Sequence, residues 1–256
     1  MALIEVRSLE HRFDLSPAAG LHAVSFDLDR GEFVVLAGPS GSGKTLLIRH
    51  LNGLVEPSSG VIRFEGLPLH RRLAAARLSI GMVFQEPDHQ IVGQSVEEDI
   101  AFTPRNAGLP AEEVRRRVEH AAATFELQGL LERDPRTLSG GEKRRLALAG
   151  VFAGQPEIII CDEPFSNLDY AGVVEVLHAL TRAHASGCGI VVVTHEIEKV
   201  LDHATRLIVL TGGSVRYDGP PGAAVTRFDE WGLVPVTRLY RTIPPRLSWI
   251  PQEKPG

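Results

Sequence analysis

One eight-residue stretch constrains this chain more than any other. Gly38-Pro39-Ser40-Gly41-Ser42-Gly43-Lys44-Thr45 fits G-x-x-x-x-G-K-[ST] at every position. It stands after a wholly apolar run, Phe33 to Ala37, and before the helix-forming run Lys44 to Leu51. A buried strand that feeds a helix is the repeating unit of parallel α/β sheets, so the loop predicts that fold class. The glycines allow successive backbone N–H groups to turn inward onto phosphate oxygens, and the helix start adds its positive dipole end. Lys44 supplies a point charge for the β- and γ-phosphates of a nucleotide, and Thr45 a hydroxyl for Mg²⁺.

Further apolar runs extend the pattern. Ala2 to Val6 and Val24 to Leu28, with turns expected at Pro17 and Gly31, predict a small antiparallel layer ahead of the main sheet. Val61 to Phe64 and Ile80 to Phe84 read as strands. Residues from about 87 to 138 then read as an inserted helical subdomain, because Val114, Val118, Ala121, Ala122 and Phe125 recur at helical spacing within Ala111 to Leu127. The core resumes with a helix Gly140 to Val151, a strand Glu157 to Asp162, a helix Gly172 to Ala185, a strand Gly189 to Thr194 and a last strand Leu207 to Leu210. Seven of the chain's 17 prolines and both tryptophans, Trp231 and Trp249, follow residue 219. The expected division is a domain over residues 1–220 and a Pro-rich appendage over 221–256, packed on its own domain or on a partner.

Several residues fall where ligands of such sheets gather, at the carboxyl ends of strands. Asp162 and Glu163 end the run Ile158-Ile159-Ile160-Cys161, His195 ends Gly189 to Thr194, and Gln85 ends Gly81 to Phe84. Taken singly these are weak signals. A carboxylate pair there suits a helix N-cap equally well, and a lone histidine is more often structural. With the phosphate loop they make a hydrolytic site, Asp162 for the metal and Glu163 to orient a water. Leu138-Ser139-Gly140-Gly141-Glu142 is a second anion cradle: a hydroxyl, bare backbone amides and a helix start.

Charge and cysteine usage exclude other classes. The formal charge is -5, and the strongest basic run, Arg115-Arg116-Arg117, lies in a helical pattern, which argues against nucleic acid as partner. Cys161 and Cys188 sit in or beside apolar runs without metal spacing and read as buried free thiols. No apolar run approaches the ~18 residues of a membrane span, so any membrane role runs through a partner.

Taken in order, Gly38 to Thr45, Gln85, Leu138 to Glu142, Ile158 to Glu163, Ser166-Asn167-Leu168-Asp169 and His195 resemble the signature set of the ABC ATPases. The resemblance implies a P-loop NTPase core and a head-to-tail dimer of ATPase subunits, identical or sister chains. In it Ser139, Gly140, Gly141 and Glu142 of one subunit face the ATP held by residues Gly38 to Leu46 of the other. It further implies Glu163 as catalytic carboxylate, His195 as switch histidine, Gln85 as sensor and metal neighbour, Asp169 as cross-dimer contact and Phe13 as the ring on adenine. Phe13 fits equally the core of the antiparallel layer. Leu46 and Glu142 depart from the common pattern, which has a second hydroxyl and a glutamine there.

Val83 to Gln90, Val96 to Phe102 and Asn106 to Pro110 are similar to the ATPases of energy-coupling factor transporters, which import vitamins and cobalt or nickel ions. That likeness implies a transmembrane scaffold protein, a substrate-binding membrane subunit and a peripheral place on the cytoplasmic face of the membrane. Glu97, Glu98 and Asp99 would then offer an acidic side to the scaffold. An ordinary importer ATPase served by an external binding protein is the alternative.

Overall fold

A computed structural model describes residues 2–13, 16–234 and 248–250. The chain opens with β1 (Ile4–Phe13), β2 (Ser16–Leu28) and the buried β3 (Phe33–Ala37), then passes through the glycine loop into α1 (Lys44–Leu51). β4 (Ser59–Phe64) and the short β5 (Leu67–Pro68) precede α2 (Leu73–Ser79) and β6 (Ile80–Val83). α3 (Val96–Asn106) and α4 (Ala111–Thr124) form the insertion, and α5 (Gly140–Phe152) leads into β7 (Ile158–Asp162). α6 (Tyr170–Ala185), β8 (Gly189–Thr194), β9 (Arg206–Thr211) and β10 (Ser214–Gly219) follow.

The strands form two sheets. One is antiparallel, in the order β2-β1-β4-β5; the other runs β10-β9-β3-β8-β7-β6, parallel except for β10. Strand alternation divides the interior of the second sheet into two cores. Val34, Leu36, Ile158, Ile160, Val191, Val193, Ile208 and Leu210 face α1 and the antiparallel layer. Their neighbours Val35, Ala37, Ile159, Cys161, Ile190, Val192, Leu207 and Val209 face α5, α6 and the inserted helices. Continuous apolar runs are therefore required, since both faces are covered.

The insertion shares the second of these cores. Val96, Ile100, Val114, Val118, Ala121 and Phe125 are buried in one cluster with Leu146, Leu148 and Phe152 of α5. Phe125 and Phe152 meet edge to face at 5.4 Å between ring centroids. Two arginines of α5 run through the seam. Arg144 Nη1 donates to the carbonyls of Phe84 and Gln85 at 3.0 and 2.7 Å, and Arg145 Nη1 to those of Phe125 and Glu126 at 2.9 and 3.0 Å. Both are buried.

Four expectations need correction. β9 is not the last strand, because Gly212 and Gly213, both at positive φ, turn the chain back into β10. Pro17 lies within β2 rather than in a turn; β2 is an edge strand, where a missing N–H costs no ladder bond. α4 stops at Thr124, since Glu126 takes a left-handed φ of 55°. Asp99 offers no acidic surface: it is buried, and its Oδ1 accepts the N–H groups of Val92 and Gly93 at 2.7 and 2.9 Å.

Beyond β10 the described residues return to the main core. Phe228 and Trp231 are buried in it, Trp231 against Tyr217 with ring centroids 5.3 Å apart. Pro235, Pro244, Pro245, Pro251 and Pro255 lie outside the described residues. Ile160 sits midway along β7, between β6 and β8, and is fully buried. Ile160→Ala is expected to lower the free energy of unfolding by about 2–5 kcal/mol. Urea titration followed by circular dichroism measures this, and a loss well under 1 kcal/mol would contradict the packing described.

Candidate functional site

The glycine loop is shaped by contacts that admit no side chain. A Cβ on Gly38 would lie 2.1 Å from the carbonyl oxygen of Leu210 on β9. Gly41 and Gly43 have φ of 78° and 101°, open to glycine at little cost, and Gly43 is the N-cap of α1. The loop surrounds Lys44, which is buried and donates from Nζ to the carbonyl oxygens of Gly38 and Pro39 at 2.7 and 3.2 Å. Burial pushes its ammonium below the usual lysine range, and the charges of Glu163 and Asp162 oppose that shift.

Register brings the other motifs to the same edge. Ala37 pairs with Thr194 across β3 and β8, and Asp162 with Val193 across β7 and β8. Thr45 Oγ1 donates to Asp162 Oδ2 at 2.9 Å. Asp162 Oδ1 is buried without a hydrogen-bond partner. Its carboxyl is raised above the usual range, chiefly by burial. One residue on, Glu163 takes a left-handed φ of 46°, and its N–H donates to the Val193 carbonyl at 2.8 Å. A non-glycine residue held there carries backbone strain of order 1–3 kcal/mol. That turn aims the carboxylate along the sheet edge: Oε1 meets His195 Nδ1 at 2.9 Å, and Oε2 accepts from Thr194 Oγ1 at 3.0 Å.

These residues line one cleft of about 440 Å³, bounded by Phe13, Ala19, Gly20, residues 40–46, Gln85, Glu163 and His195. Leu46 is thus on its wall. Phe13 stands at the cleft 45% exposed, with the His11 ring edge-on at 4.8 Å. Gln85 is exposed, and its carbonyl is fixed by Arg144. Gly38, Pro39 and Asp162 lie just behind these residues, tied in through Lys44 and Thr45.

Ser139, Gly140, Gly141 and Glu142 do not line this cleft. They begin α5 as a reciprocal cap: Glu142 N–H donates to Ser139 Oγ at 3.2 Å, and Ser139 N–H to Glu142 Oε2 at 2.7 Å. These bonds hold the Glu142 carboxyl below its usual range, the backbone bond from Ser139 first. Asp169 caps α6 in the same way, Oδ1 accepting Gly172 N–H at 2.8 Å. Thr194, Arg144 and the Ala19-Gly20 wall were not among the expected site residues. Thr194 looks like one more strand valine's neighbour until the pairing with β7 is known, and Arg144 like a solvated helix arginine.

Comparison with known proteins agrees with this geometry. The family model described as ABC transporter matches residues 21–166. A cobalt import ATP-binding protein, CbiO, of Syntrophus aciditrophicus is 44% identical over 220 residues, covering 85% of this chain and 79% of that protein. An energy-coupling factor transporter ATP-binding protein, EcfA, of Methanocaldococcus jannaschii is 37% identical, covering 86% and 80%. The solved structure of cbiO1 from Clostridium perfringens, described as part of the ABC transporter complex cbiONQ, superposes with a TM-score of 0.82 at 31% identity, covering 94% of this chain and 96% of that one. With a phosphate loop, an Asp-Glu strand end and a histidine on one sheet edge, and relatives of this similarity and coverage, the chain belongs to the ABC transporter family.

Proposed function

We propose that this chain is the ATPase subunit that powers an energy-coupling factor importer for a vitamin or a transition-metal ion, working as a dimer on the cytoplasmic face of the membrane. As an ABC ATPase it binds and hydrolyses ATP. The observation that carries the reading of the site is the meeting of Lys44, Glu163 and His195 on one cleft, with Thr45 bonded to Asp162 beside it. The import class rests on the likeness to the cobalt and energy-coupling factor proteins. Among the described residues no helix is long and apolar enough to cross a membrane.

The residues present fit a divalent cation. Asp162 Oδ1 is a buried carboxylate oxygen without a partner, and Thr45 Oγ1 sits on its other oxygen. Thr45, Asp162 and Gln85 would hold Mg²⁺, which would supply charge neutralisation for the nucleotide's phosphates. On ATP binding Lys44 exchanges the Gly38 and Pro39 carbonyls for phosphate oxygens. Phe13 offers a ring to the base. Glu163 holds the attacking water and takes its proton, while His195 and Thr194 fix both carboxylate oxygens. The Ser139 turn of a second subunit closes over the γ-phosphate, and Asp169 lies in the same dimer interface.

A groove of about 340 Å³ beside Gln85 suits the membrane partner. It is lined by Leu54, Leu78, Met82, Phe84, Thr103 and Pro104 among others, with Leu54, Leu78 and Phe84 exposed. A coupling helix of the scaffold protein would seat there, and Gln85 beside it would sense nucleotide. Co-purification tests the class: a substrate-binding membrane subunit supports it, and a soluble external receptor supports a conventional importer.

Lys44→Ala is expected to abolish tight ATP binding, and undiminished hydrolysis would overturn the loop's role. Glu163→Gln keeps shape but loses the charge, so ATP with Mg²⁺ should accumulate a closed dimer on size-exclusion chromatography, and adding Ser139→Arg should prevent it. If Glu163→Gln gains no dimer, the composite site loses its support. Asp162 gives a pH test. Its folded value is raised, so folding favours the protonated form, and the ionised form costs stability at neutral pH. That cost is absent below the unfolded value of about 3.9, grows as pH rises from there towards the folded value and is complete above it. Asp162→Asn should therefore raise the melting temperature of the nucleotide-free chain at neutral pH. The gain should fade on acidification; a lowered melting temperature at neutral pH would refute the assignment.

A further inference from the structure

Trp249 belongs to the last described residues, yet it joins the turns that follow His195 to the start of α6. Its N–H donates to the Lys199 carbonyl at 3.2 Å, and its own carbonyl accepts from Tyr170 Oη at 3.3 Å. The Trp249 and Tyr170 rings lie 5.4 Å apart, and Lys199 Nζ stands 4.8 Å above the indole. Beside it Ser248 Oγ meets His203 Nε2 at 2.5 Å and accepts the N–H of Ile250 at 3.1 Å.

The two segments are those that carry interface and catalytic residues. Tyr170 directly follows Asp169 at the start of α6, and Lys199 follows His195 by four residues. Between His195 and β9 the chain makes only short 3-10 turns, Ile197–Lys199 and Leu201–His203, a conformation with poor hydrogen-bond geometry. Lys199 is only 5% exposed, so its ammonium depends on the Glu196 carboxylate and the Trp249 ring face. His195 itself is half exposed and meets the site through Glu163. Ile197, Val200 and Leu201 anchor this segment in the main core, and the contacts of Trp249 hold its outer side.

We propose that Trp249 is a positioning residue for ATP hydrolysis: it ties the turns after His195 to the start of α6, so that the His195–Glu163 pair and the Asp169 cap keep one relative geometry. This rests on the reading of Glu163 and His195 as the hydrolytic pair. It assigns the end of the C-terminal appendage to the catalytic cycle of its own subunit.

The test uses the full chain with its transporter partners. Trp249→Ala should lower kcat roughly tenfold, since small displacements of positioned groups carry such penalties, with KM for ATP unchanged within about twofold. Trp249→Phe, which keeps a ring for Lys199 and Tyr170, should recover most of the rate. Amide hydrogen exchange without nucleotide should rise in residues 196–203 and near Tyr170 in the alanine variant, and not in the α1 segment. That readout decides the tie even if the wild-type chain proved unable to hydrolyse ATP, an outcome that would sink the hydrolytic reading instead. Unchanged kcat with unchanged exchange overturns the proposal. So does a phenylalanine variant no better than alanine, or a parallel loss of nucleotide binding and fold.

Discussion

Everything at the cleft hangs from the register of three parallel strands. β3, β8 and β7 are paired so that Ala37 lies beside Thr194 and Val193 beside Asp162. The glycine loop, the Asp-Glu pair and the histidine then leave the sheet at one edge. A slip of one residue would exchange the two interiors, carrying Ile160 and Val191 to the helical side and Ile159 and Val192 to the other. The register is therefore enforced by two cores at once, and the chemistry inherits its precision from packing.

Buried charge is arranged with similar economy. Lys44 is hydrogen-bonded by the loop's own carbonyls, Asp162 by the Thr45 hydroxyl, and Arg144 by the two carbonyls that open the loop after β6. Each bond either waits to be exchanged with a ligand or fixes a backbone that faces one. Asp162 Oδ1 and Arg144 Nε are left without partners, and the first, a carboxylate oxygen with no donor, suits a cation.

Much of this was legible in the chain. The parallel strands announce themselves as continuous apolar runs because both faces are covered, and β8 runs from Gly189 to Thr194 as its composition implies. The glycine loop is a local device and is read locally. What escaped depends on contacts across the fold. Nothing near Asp99 says that its carboxylate turns inward to hold Val92 and Gly93, for an acidic first helical turn has the same composition. Arg144 sits among charged residues and looks solvated until the carbonyls of Phe84 and Gln85 are seen beneath it. β10 escaped because an edge strand with one covered side lacks the apolar run that marks its neighbours.

The reciprocal cap at Ser139 bears on selectivity among anions. In the single chain the helix start that would receive a γ-phosphate already holds a carboxylate, that of Glu142. Its negative charge offsets the positive end of α5, so inorganic phosphate drifting past a lone subunit finds a cradle whose field is largely cancelled. On the proposed dimer reading, a phosphate delivered on a facing subunit would arrive with the Lys44 charge of its own loop and with the apposed protein surface. On the proposed composite-site reading, the turn would discriminate by context, passing over anions of the bulk solution in favour of one carried in by a loaded partner.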